Sequence, residues 1–210
     1  MTAHRRLREP VNAITHALGV LGGVAVLFIA LSRGQTHWTV WVFALSMVVL
    51  YSASSVYHAL GGSAALERQL KRLDHSAIFV LIAGTYTPVL YIALPDPWRW
   101  IALAVVWGIA LTGIALKFSF ELPEWLSLAL YVLMGWLAVV LLPVLHAALP
   151  PFAFWALVAG GVFYTLGVPF FATKRRRHFV PAWGPHEVWH LFVLAGSGAH
   201  ALMVLALPKV

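Results

Sequence analysis

Seven stretches of this chain, each about 20 residues long and nearly free of charge, constrain its fold more than any other feature. Bilayer hydrocarbon is about 30 Å thick, and a helix needs about 20 apolar residues to cross it. The stretches fall at about 13–31, 38–60, 75–94, 98–116, 125–145, 152–172 and 186–207. They lack the alternation of barrel strands and are apolar on nearly all sides. The pattern therefore predicts seven transmembrane helices in an all-α fold. Residues 1–210 read as one seven-helix domain with no room for a soluble one. The first stretch reads as a span, because it is too long for a cleaved signal and no small-residue cleavage site follows it. Hydrophobic residues make up 61% of the chain and charged residues 10%, against about 45–50% and 25% in soluble domains. One soluble core could not hide that much apolar surface. A soluble enzyme, a disordered tail and a disulfide scaffold are excluded. The absence of cysteine excludes thiolate metal sites, thiol catalysis and redox sensing.

The connections are short and carry turn residues: Gly61-Gly62-Ser63, Pro95-Asp96-Pro97, Pro150-Pro151, and Pro181 through Pro185. Lys and Arg in such connections set orientation. One side holds Arg5, Arg6, Arg8, Arg68, Lys71, Arg72, Lys117 and the run Lys174–Arg177; the other holds Arg33, Arg99 and Lys209. Eleven against three places the N-terminus in the cytoplasm and the C-terminus outside. Trp38, Trp41, Trp98, Trp100, Trp125, Trp155 and Trp183 lie near span ends, as an aromatic belt requires. The net charge of +7 is accounted for by these topology signals and by contacts to anionic lipid heads, not by nucleic acid.

Ionisable groups inside a span are costly, so each is a functional candidate. Three groups stand out. Ser54-Ser55-Val56-Tyr57-His58 ends the second span, and Ser54 and His58, four apart, share a helix face. Arg72-Leu73-Asp74-His75-Ser76 opens the third span. His186-Glu187-Val188-Trp189-His190 opens the seventh, and its two imidazoles share a face, so that one helix can supply two ligands to one ion. The predicted chain direction brings His58, Asp74, His186 and His190 to one depth near the cytoplasmic face. Three neutral imidazoles with one open position describe a catalytic zinc site, although imidazole also suits iron or copper. His75 points about 100° away from Asp74 on its helix and is not a ligand. His200 lies about 15 Å deeper than His190, too far to share an ion; it either lines a cavity or bonds a backbone carbonyl.

The segment His186–His190 also fits the H-E-x-x-H pattern of zinc proteases, in which the Glu is a general base. An acid favoured by the dipole at a helix N-terminus explains Glu187 equally well.

Taken together, four segments resemble the hemolysin III branch of the progestin and adipoQ receptor family, which includes the adiponectin receptors. They are Glu9-Pro10-Val11-Asn12-Ala13-Ile14-Thr15-His16, Ser54–His58, Arg72–Phe79, and His186–Phe192 running on to His200. The resemblance implies seven helices with the N-terminus inside and a zinc ion on His58, His186 and His190. It places Asp74 near the water at the metal, Ser54 in support of it, and His16 in a supporting position. Glu187 departs from the receptor branch, where an amide is common at that place. The family's grouping with alkaline ceramidases implies a zinc-dependent hydrolase, and its bacterial members imply an inner cell membrane.

The expected chemistry is hydrolysis of a membrane lipid amide or ester, with zinc acidifying water and Asp74 orienting it or taking its proton. Pro88, Pro143 and Pro169 are expected to kink or loosen the third, fifth and sixth spans and so open a cavity. Two alternatives remain at this point. One is a non-enzymatic sensor, cytolysin or channel-like regulator with a structural zinc; the other is an intramembrane metalloprotease using Glu187. The sequence carries no sign of substrate identity or oligomeric state.

Overall fold

In lipid a helix must satisfy its own backbone, so it starts and stops where caps, water or side chains take over. The polar connections supply those places. A computed structural model describes residues 7–173 and 183–209. It contains α1 (Pro10–Ser32), α2 (Trp38–Ala59), α3 (Ala64–Ala93), α4 (Trp98–Ser119), α5 (Glu124–Trp136), α6 (Ala138–Ala148), α7 (Pro151–Ala172) and α8 (Pro185–Leu205). Taking α5 and α6 as one run, seven helices among the described residues are long and apolar enough to cross a membrane. The basic residues Arg5, Arg6 and Lys174–Arg177 lie outside the described residues.

Helix starts follow local chemistry. Proline occupies the first turn of α1, α7 and α8, where no backbone donor is needed. At α3, Ser63 Oγ accepts a hydrogen bond from the Leu66 amide at 3.2 Å. That cap starts α3 at Ala64, eleven residues before the apolar stretch that marks the third span. Arg68, Lys71 and Arg72 interrupt hydropathy without interrupting the helix.

Around the bundle, α1 packs on α2, α2 on α3, α3 on α4 and α7 on α8, and α1 closes against α8. Small residues bring backbones together, as expected where lipid is no less apolar than leucine. A Cβ on Gly160 of α7 would fall on the His200 ring of α8, and one on Gly19 of α1 on the Tyr51 ring of α2. The central helix is α3, with 72% of its apolar window buried, against 17% for the α5–α6 run.

The fifth run breaks at Leu137, six residues before Pro143, the residue expected to disturb it. The cause is a side chain from α3. The Tyr86 hydroxyl accepts the Ala138 amide at 2.7 Å, and its one proton is shared between the Met134 and Gly135 carbonyls at 3.0 and 2.9 Å. It thereby stands in for the lost turn of the ladder. By contrast, α3 and α7 run without interruption through Pro88 and Pro169.

Because α5 and α6 stand off from their neighbours, a cavity of about 940 Å³ opens between them and α3, α7 and α8. It extends from His58, His186 and His190 to His200. Lys117, expected in a connection, instead lies buried in the last turn of α4, with Nζ 3.3 Å from His75 Nδ1.

A candidate metal centre at one end of the bundle

The triad is assembled by two helix ends. His58 occupies the last turn of α2, and His186 and His190 sit on successive turns at the start of α8. Ring centroids are 5.2 Å apart for His58–His186, 4.8 Å for His58–His190 and 4.7 Å for His186–His190. One nitrogen from each ring lies within 4.8 Å of the others, so the three could hold one metal ion. His58 and His190 are buried and His186 is half-buried.

The donor set fits a divalent transition metal. His58 Nδ1 lies 2.6 Å from Glu9 Oε2, and an ionised carboxylate can only accept, so the proton is on Nδ1. Nε2 then carries the lone pair. It is buried without a hydrogen-bond partner, as is His190 Nδ1. Such orphaned atoms are costly in an apolar setting. Neutral imidazoles converging with bare nitrogens are what zinc takes, and the described residues offer no thiolate. The bond from His58 holds the Glu9 carboxyl well below its usual range, at about 2, against the opposing push of its partial burial.

Asp74 and Ser54 meet beside this cluster. Both are buried and both line the cavity. The third span therefore delivers its acid to the depth of the triad. The neighbouring His75 turns to Lys117, and its carbonyl accepts from Tyr131 Oη at 2.8 Å.

Glu187 is occupied otherwise than as a free base. Its Oε2 accepts from the Gly184 amide at 2.8 Å and its Oε1 from Asn12 Nδ2 at 3.0 Å. It thus caps α8, the helix that carries two of the imidazoles. His200 does both of the things considered for it: it lines the cavity, and its Nε2 donates to the Leu157 carbonyl at 3.1 Å. His16 stacks on His190 with centroids 3.6 Å apart and planes at 12°.

Glu9, quoted above only as the head of a resembling segment, is the residue to which sequence reasoning gave no role. It lies just before the first apolar run, so a search for charges inside spans passes over it. The available signal was periodicity. Glu9, Asn12 and His16 are spaced i, i+3, i+7, on one face at the start of a helix whose neighbour ends in His58.

Comparison with known proteins agrees with this architecture. Residues 4–201 match the family described as haemolysin-III related. The chain is 37% identical over 204 residues to hemolysin-3 of Bacillus cereus, covering 94% of this chain and 90% of that one. It is 36% identical over 204 residues to a hemolysin-3 homolog of Bacillus subtilis, covering 94% and 92%. A more distant relative is the human monocyte to macrophage differentiation factor, 24% identical over 201 residues, covering 90% and 79%. The heptahelical transmembrane protein 4 of Arabidopsis thaliana is 29% identical over 190 residues, covering 80% of this chain and 48% of that one.

Proposed function

The chain belongs to the haemolysin-III-related family as a multi-pass membrane protein with seven spans, and on that premise we propose that it is a zinc-dependent hydrolase of a membrane lipid amide or ester. One observation carries the reading: three imidazoles converge at the polar end of a long, mostly apolar cavity, with a buried carboxylate beside them. His58, His186 and His190 would hold the ion. Zinc, when bound, supplies Lewis acidity, polarising a carbonyl and bringing the pKa of water toward about 7. Asp74 accepts the proton of the attacking water on its carboxylate. The Ser54 hydroxyl donates to that carboxylate and fixes its direction. Walls formed by Ile78, Leu81 and Ile82 on α3 and Val132 on α5 take up an acyl chain and exclude bulk water. The excess of basic residues on one side supports an N-terminus in the cytoplasm and a metal centre at the inner leaflet.

Two substitutions test the assignment in purified, lipid-reconstituted protein. His58→Ala is expected to abolish stoichiometric zinc by elemental analysis. Asp74→Asn is expected to keep zinc and lose at least about 100-fold in lipid turnover, as removal of a general base does. Zinc loss in the first variant with no change in lipid composition would mean a structural metal and a non-enzymatic protein. Wild-type turnover in Asp74→Asn together with inactivity in Glu187→Gln would move the reading to the protease alternative.

A further inference from the structure

The first helix contributes no imidazole to the triad, yet its start touches two of the three ligands and the residue that caps the helix bearing the other. Glu9 holds His58 at two points. Its backbone N–H donates to the His58 carbonyl at 3.0 Å, and its Oε2 receives the imidazole Nδ1–H at 2.6 Å. One turn on, Asn12 Nδ2 lies 3.1 Å from Glu9 Oε2 and 3.0 Å from Glu187 Oε1, joining the carboxylate behind His58 to the carboxylate that caps α8. A further turn on, the His16 ring covers His190. Asn12 and His16 are almost fully buried, and neither His16 nitrogen has a hydrogen-bond partner. Bare nitrogens leave ring stacking as the contact by which His16 acts on its neighbour.

These contacts do chemical work that packing alone does not require. A carboxylate on Nδ1 forces the tautomer that leaves Nε2 free and stops the ring turning. The α1–α2 contact already has other polar ties: Arg8 Nη2 donates to the Tyr57 carbonyl at 2.8 Å, and Ser55 Oγ to the Ala13 carbonyl at 2.9 Å. A second polar network at the same junction, with Asn12 and His16 at its buried end, therefore points to the triad and not to helix docking. We propose that the Glu9-x-x-Asn12-x-x-x-His16 face of α1 is a metal-positioning element. In it Glu9 selects and orients Nε2 of His58, and Asn12 couples that choice to the cap of the helix bearing His186 and His190. This rests on the metal reading above, and it adds residues that contact no substrate and act through the ligands.

The test uses the full chain in lipid nanodiscs, stripped with a chelator and titrated with Zn²⁺ against a competing chelator, then loaded with Co²⁺ for its visible d–d spectrum. Glu9→Gln keeps shape and removes the charge. It is expected to weaken Zn²⁺ binding about 10- to 100-fold, the range for removal of such a partner, and to move the cobalt bands. Glu9→Asp restores the charge at shorter reach and recovers part of both. Asn12→Leu removes only the side-chain bonds to Glu9 and Glu187 and loses several-fold. Glu67→Gln removes another carboxylate contacting Arg8, far from the rings, and leaves affinity and spectrum unchanged. The cobalt spectrum reads only folded, loaded protein, so a variant that merely misfolds cannot imitate the shifted bands. Wild-type affinity and an unshifted spectrum in both Glu9→Gln and Asn12→Leu would overturn the proposal, while His58→Ala still lost the metal. A wild-type protein that binds no stoichiometric metal would overturn the metal reading and this one together.

Discussion

Two walls of the same bundle are built differently. The wall formed by α1, α2, α3 and α8 is crossed by side-chain hydrogen bonds: Ser55 to the Ala13 carbonyl, Tyr51 Oη to Ser197 Oγ at 2.7 Å, Asn12 to Glu187, and Glu9 to His58. Its α3 is the most enclosed helix of the protein. The opposite wall, α5 and α6, buries 17% of its window and is broken in the middle. Every imidazole of the triad belongs to the first wall, and the cavity exists because the second stands away. Lipid tails are as apolar as leucine, so apolar surface alone draws no helix inward. Close approach has to come from small residues and polar bonds, and the α5–α6 run is held to α3 through Tyr86 and Tyr131 while most of its apolar length stays unburied. Ligands that must be held to a fraction of an ångström lie on the closely packed wall, and space for a flexible guest lies against the loosely packed one.

The contrast can be broken most strongly where helices meet through glycine. Gly160→Leu drives a side chain into the His200 ring and should cost about 3 kcal/mol, while its neighbour Gly161→Leu, with nothing within 4 Å, should cost nothing in an unfolding titration. Equal costs would mean that α7 and α8 are not packed as described. A smaller effect is expected at the break. Tyr86→Phe leaves the Ala138 amide without an acceptor and should destabilise by about 1–3 kcal/mol. Hydrogen exchange should rise around Leu137 while Zn²⁺ affinity stays unchanged. A loss of zinc there would show that the two walls are not independent. The smallest effect belongs to the ion pair that spans them, Lys71 Nζ to Glu124 Oε1 at 2.6 Å. Both side chains are exposed, so Lys71→Ala should cost under about 1 kcal/mol and vanish at high salt.

Several of these features are legible in the chain before any coordinates. Seven apolar runs produce seven helices because a bilayer leaves the backbone no alternative. The His186/His190 pair is legible from its four-residue spacing, and the meeting with His58 from the alternation of chain direction. The start of α3 is hidden because hydropathy marks where a helix enters lipid, not where Ser63 caps it. The interruption at Leu137 is hidden more deeply, since its cause, Tyr86, lies about fifty residues away and looks like any tyrosine in a span. Glu9 is hidden by a boundary: one residue outside the helix, it falls outside a search of the helices.

What the chain determined by itself was the set of helices and which of their ends carry imidazole. Both follow from local free energies, the desolvation of peptide groups and the pitch of the α-helix. What the folded bundle alone decided was which nitrogen of His58 is bare, which acid stands behind it, and where a wall parts to leave a cavity. Those depend on angles and separations between helices distant in the chain, which residue spacing along one helix does not contain.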